Sequence, residues 1–95
     1  MIEIAKPKFR IGKLVATPGV IEALADSRQS PMEFVARHLR GDWGDCCQED
    51  RQANEDALLN GERLLSVYQT AKGVKIWLIT EADRSSTCLL LPEEY

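Results

Sequence analysis

Histidine is almost missing from this chain. There is one, His38, beside three Cys, two Trp, two Tyr and two Phe in 95 residues. A single imidazole does not make a metal site of recognised spacing, which needs further His or paired Cys ligands. The adjacent pair Cys46-Cys47 lacks the two-residue gap of a zinc knuckle or a redox motif. Adjacent Cys also rarely bridge each other, because disulfide geometry keeps the Cα atoms well apart. No apolar run approaches the roughly 20 residues of a membrane-spanning helix. Lys6, Lys8 and Arg10 interrupt the start, so no secretory signal is expected. The setting these features suggest is a reducing cytoplasm with free thiols and no membrane association.

Charge of one sign is also lacking. Twelve Lys and Arg stand against 15 Asp and Glu, a net charge of −3, and the basic residues are scattered. A sequence-independent grip on nucleic acid needs a basic stripe, so nucleic acid is not expected as a partner. The acidic excess is equally too weak for a DNA mimic. No Ser-His-Asp order, phosphate-cradling glycine loop or two-carboxylate pattern stands out, and no cofactor motif is present.

What remains describes one α+β domain over residues 1–95. A chain of 10.7 kDa buries roughly 65% of its unfolded surface, enough for one modest core. Residues 1–8 read as a loose arm or short edge strand ending at Pro7. Phe9 to Val15 alternates apolar and polar and reads as a strand weakened at Gly12. Thr17-Pro18 starts a short helix carrying Val20, Ile21 and Leu24. Ser30-Pro31-Met32-Glu33 combines a capping box with proline at the first helical position. The helix it starts has Phe34, Val35 and Leu39 as its apolar stripe and stops at Gly41. Asp45 is the expected cap of a third helix, whose narrow buried face is Cys47, Asn54 and Leu58 with Ala53 and Ala57. It ends at Asn60-Gly61.

The last third reads as strands. Leu64 to Gln69 and Val74 to Thr80 are joined by Thr70-Ala71-Lys72-Gly73, a hairpin loop with glycine in the left-handed position. Thr87 to Leu91 is a further strand after a polar turn. The expected fold is three short helices on a three- to four-stranded antiparallel sheet, in the order β-α-α-α-β-β-β. Ile76 to Ile79 and Cys88 to Leu91 are apolar on both faces, whereas an antiparallel sheet with one wet face alternates. One face therefore needs a further cover, and a homodimer through the sheet is expected.

The candidate site is the stretch from His38 to Asp45. His38 falls on or beside the apolar stripe of its helix. It reads either as a base or metal ligand with Asp42, Asp45 and Cys46, or as a partly buried group satisfying a helix end. Trp43, between two glycines, reads as a core plug or as a binding anchor. In the polar turn Glu81 to Ser86, Asp83 and Arg84 either hold the hairpin and Ser85 caps an amide, or the turn carries function.

Taken together, His38, Gly41-Asp42-Trp43-Gly44, Asp50, Asn54, Ser66, Tyr68, Ile76-Trp77, Thr80 to Ser85 and Leu90 to Tyr95 resemble a family of small bacterial proteins labelled "plasmid-related protein". The resemblance runs from about Phe9 to Tyr95 and implies a life on plasmids and other mobile DNA. It supplies no catalytic residue, and the Cys46-Cys47 pair lies outside its pattern. Two functions are carried forward. The first is a non-enzymatic protein-interaction module that regulates the mobile element or counters a host defence. It would bind its partner through His38, Asp42, Trp43, Asp83 and Arg84, if the two loops meet at one end of the domain. The second is a small hydrolase or metal-dependent enzyme using His38 with Asp42 or Glu81.

Overall fold

The computed structural model describes residues 6–95. The expectation for the N-terminal arm falls partly on residues 1–5, outside the described residues. The elements run β1 (Lys13–Ala16), α1 (Pro18–Ser27), α2 (Pro31–Leu39), α3 (Gln48–Asn60), β2 (Leu64–Gln69), β3 (Lys75–Thr80) and β4 (Ser86–Leu90). A 3₁₀ turn follows at Pro92–Glu94. The helix starts follow local chemistry. Thr17 caps α1 by accepting from the Val20 amide, Ser30 caps α2 by accepting from Met32, and each helix opens with proline. The capping box of α2 forms only in half, because Glu33 accepts from the Gln29 side chain instead.

The order of elements is as expected, but the sheet is mixed rather than antiparallel. Strand order is β1-β4-β3-β2. β2, β3 and β4 form an antiparallel meander, while β1 lies parallel to β4, with Val15 opposite Cys88. The reason is topological. The helical crossover carries the chain back to the end of the sheet from which β1 started, so β2 runs in the direction of β1. Two reversals later β4 has that direction too, and it is β4 that lies beside β1. The first strand is also shorter than the pattern suggested. Gly12 turns at φ +63° with its Cα against the Arg84 and Ser85 backbone, where a Cβ would lie 2.4 Å from both. Residues before it leave the sheet, and Phe9 turns into the core.

Val20 and Leu24 of α1 and Phe34 and Val35 of α2 pack on Tyr68, Ile76, Leu78 and Leu89, all from one face of the sheet. A second cluster joins Trp43 and Cys46 to Ala57 and Leu64. On α3 only Asn54 and Ala57 are buried and Leu58 is partly so; Cys47 and Ala53 are exposed, contrary to the expected stripe. Asp45 is not the cap. The helix begins after Cys47, which makes no side-chain cap, because the preceding backbone is engaged elsewhere. The Val67 amide donates to the Trp43 carbonyl, and the Asp45 amide donates to the Val67 carbonyl. Gly44 permits this at φ +74°, since a Cβ there would lie 1.9 Å from the Val67 oxygen.

One position further along, Asn54 of α3 imitates a strand. Its side-chain amide donates to the Leu65 carbonyl (2.7 Å), and its oxygen accepts from the Leu65 amide (3.0 Å). The outward backbone groups of Leu65 and Val67 are thus all satisfied, and the β2 edge is closed to further pairing. Truncating Asn54→Ala strands two backbone groups and is expected to cost about 2–4 kcal/mol. Gly44→Ala adds left-handed strain to a backbone clash and is expected to cost at least as much. Urea denaturation of both variants measures this.

Candidate functional site

The two loops do meet at one end of the domain, and Phe9 is what they meet on. Its ring lies 5.0 Å from that of His38, edge to face, and 6.3 Å from that of Trp43, stacked. The Arg84 guanidinium sits 5.9 Å above the same ring. His38 and Trp43 are themselves edge to face at 5.8 Å. The assembly faces inward, however. His38 is 0% exposed and Trp43 4%. Trp43 is therefore the core plug, with its indole N–H donating to Glu55 at 2.8 Å.

His38 is held at the centre of a polar chain through the core. Nδ1 lies 2.5 Å from Ser66 Oγ and Nε2 lies 2.9 Å from Thr80 Oγ1. Thr80 and Thr87 hydroxyls are 2.7 Å apart, and Thr87 donates to the Ile11 carbonyl at 2.9 Å. For a neutral imidazole, counting protons along the chain fixes every direction. Thr87 spends its hydrogen on Ile11, so Thr80 must donate to Thr87. His38 Nε2–H then donates to Thr80, leaving Nδ1 to accept from Ser66. The imidazole is thus a neutral Nε2–H tautomer. Burial, aided by the positive charge of Arg84, pushes its pKa down to about 4.

A hydroxyl donating to imidazole is the arrangement of a nucleophile and its base. Here Ser66, His38, Thr80 and Thr87 are all 0% exposed, so no substrate reaches them. Both ring nitrogens are taken by Ser66 and Thr80, and neither faces Asp42 or Glu81. Asp42 instead pairs with Arg37 at 2.7 Å. That hydrogen bond holds the Asp42 carboxyl below its usual range. Arg37 also lies 4.4 Å above the Tyr68 ring, and the Tyr68 hydroxyl donates to the Asp42 carbonyl at 2.5 Å. No group of three or more His, Cys, Asp or Glu side chains close enough to hold a metal ion occurs among the described residues.

Arg84 has a structural task of its own. It sits at φ +62° and donates from Nη1 to the carbonyls of Glu62, Glu81 and Ala82, and from Nη2 to that of Ala57. Ala57 belongs to the last turn of α3, where a cation meets the negative end of the helix dipole. Asp83 accepts from the Ser85 amide, an Asx turn on the surface. Of the expected polar and aromatic edge, His38, Trp43 and Arg84 gather around Phe9 and tie the chain together, while Asp42 pairs with Arg37 and the exposed Asp83 closes its own turn.

The sheet's other face is partly open: Leu65, Val67, Trp77 and Cys88 are half-buried there and Val15 is exposed, while Ile79 and Leu90 are buried. Leu65, Val67, Trp77, Ile79, Cys88, Leu90 and Val15 alternate onto it by register. The packed helices lie on the opposite face, and here the C-terminal turn supplies cover. Tyr95 meets Trp77 edge to face at 5.8 Å and accepts from Arg63 at 3.2 Å. Arg63 also pairs with Glu81 at 3.2 Å. Arg63, Leu65, Trp77, Ile79 and Tyr95 line a mostly apolar groove of about 250 Å³. The two-sided apolar strands signalled this face in the sequence; the partners Arg63 and Tyr95 carried no such signal. No helix among the described residues is long and apolar enough to cross a membrane. No protein-family model, curated protein or solved structure matches the chain.

The buried imidazole makes stability depend on pH. In the unfolded chain His38 takes up a proton near pH 6.5, in the folded chain only near pH 4. Stability is full above pH 6.5 and declines as pH falls towards 4, because the unfolded state binds the proton first. Between pH 7.5 and 4.5 the loss is expected to be about 2–3 kcal/mol. Urea titrations at the two values measure it. His38→Gln should be less stable at pH 7.5 and lose the larger part of this pH dependence.

Proposed function

We propose that this chain is a non-catalytic protein-interaction module whose docking surface is the open face of the sheet. The observation that carries the reading is the groove lined by Leu65, Trp77, Ile79 and Tyr95, with Arg63 at its rim. Aromatic side chains and arginine are the residue types that dominate binding energy at protein interfaces. An apolar surface rimmed by polar groups is the usual form of such a site. The residues with the most chemical character, His38, Trp43 and Arg84, are spent on holding the fold, which leaves this face as the part of the molecule free to meet a partner. The resemblance to plasmid-related proteins supports a role on mobile DNA, as a regulator of the element or an antagonist of a host defence.

A second copy of the chain could occupy the same face, since the half-buried Val67 and Cys88 and the exposed Val15 extend its apolar surface beyond the groove. Two different interaction modes then share one surface, and one experiment separates them. A photo-crosslinking residue placed at Tyr95, which is 71% exposed, is expected to capture a distinct protein from the native host. The same residue at Leu59, 87% exposed on α3, is the control and should capture none. A self-adduct at Tyr95 alone assigns the face to a homodimer. Equal adducts at both positions, or none at either, overturn the face as a docking surface.

A further inference from the structure

The two edges of the sheet are treated differently. The β2 edge is closed, by the Asn54 side chain on Leu65 and by the Trp43–Asp45 backbone on Val67. At the other edge, no described strand lies outside β1. Lys13 and Thr17 donate to the carbonyls of Ser85, just before β4, and Leu89 in β4. With the two-residue period of a strand, Val15 also faces β4, while Leu14 and Ala16 direct their N–H and C=O groups out of the sheet. Leu14 and Val15 are 36% and 37% exposed. A molecule that seals one edge twice leaves an apolar pair on the other, and an open edge is a template for pairing with another chain.

We propose that β1 pairs with β1 of a second copy, antiparallel about a two-fold axis normal to the sheet. Such an axis keeps each face of the sheet on its own side, so only residues of the same facing can oppose one another. The register centred on Val15 meets this condition. Val15 opposes Val15 of the second copy as a non-hydrogen-bonded pair, where side chains are closest. Leu14 and Ala16 then exchange their outward N–H and C=O groups with Ala16 and Leu14 of the second copy, giving four ladder bonds. Gly12 would oppose Pro18, which has no N–H, so the ladder stops there.

Charge and chemistry fit this occupant. In that register Lys13 opposes Thr17 of the second copy. Thr17 donates to the Glu94 carboxylate at 2.5 Å, and Glu94 is exposed. Each Lys13 thus meets an acid, twice by symmetry, and no like charges face each other. A lysine on an edge strand ordinarily discourages pairing; here it discriminates for a copy of the same chain. On the open face the row Leu65-Ile79-Cys88-Val15 continues through the axis into its symmetry mate. The result is an eight-stranded sheet with both outer edges closed by Asn54. This pairing does not rest on the docking role of the groove and leaves the groove free.

So short a ladder makes a small interface, at the weak end of specific association. Sedimentation equilibrium from about 5 µM to 1 mM is therefore the test. The wild-type mass should rise with concentration from 10.7 kDa towards twice that value. Leu14→Pro removes an outward N–H that the chain's own ladder does not use. Val15→Glu places two like charges directly opposite. Both variants should stay at 10.7 kDa throughout while keeping the circular dichroism and melting midpoint of a folded chain. Lys13→Glu should weaken association about tenfold or more at low salt. If Leu14→Pro does not fold, Val15→Glu and Lys13→Glu decide. A wild type that remains monomeric to 1 mM overturns the proposal. So does a dimer that persists in Val15→Glu, which would place the interface elsewhere.

Discussion

The fold is organised around one neutral imidazole. His38 arrives from α2, Ser66 from β2, Thr80 from β3 and Thr87 from β4, and the chain of hydrogen bonds ends on the Ile11 carbonyl just before β1. Five segments are fixed relative to one another by groups that water cannot reach. Such a network stabilises only when every member is satisfied, because an unpaired polar group in a core costs more than the bond it lost. Here proton counting closes without a remainder, and no buried side-chain nitrogen or oxygen among the described residues lacks a partner. The network therefore specifies the register of the sheet as much as it stabilises it.

A second layer of the same economy surrounds it. Phe9 brings the N-terminal segment against both His38 and Trp43. Arg84 locks the β3–β4 turn onto the end of α3. Glu94 accepts from Thr17, Gly19 and Leu91, so the C-terminal turn also caps the start of α1. Each end of the described residues is thus pinned by a polar or aromatic contact distant in sequence.

Local signals in the sequence were read well where the physics is local. Thr17-Pro18 and Ser30-Pro31 place their helices, because a cap and a fixed φ act within one turn. The Thr70–Gly73 hairpin forms, with Gly73 at φ +81°. Asp45 failed as a cap because the backbone beside it had a stronger claim from Val67, 22 residues away. His38 was legible as a residue on the apolar stripe of α2, but its partners were not. Ser66, Thr80 and Thr87 did leave a trace, as hydroxyls at inward positions of otherwise apolar strands, and that trace gains meaning only once three strands lie side by side.

The sequence by itself determined the starts of α1 and α2, the hairpin, the meander and the domain as an α+β unit, since each follows from capping, turn chemistry or hydrophobic period within about a dozen residues. Only the tertiary structure decided the parallel placement of β1, the burial of His38 and Trp43, and which edge and which face stay open. Those outcomes depend on direction and proximity between segments far apart in the chain. A linear pattern carries the period of each strand, but not the neighbour it will find.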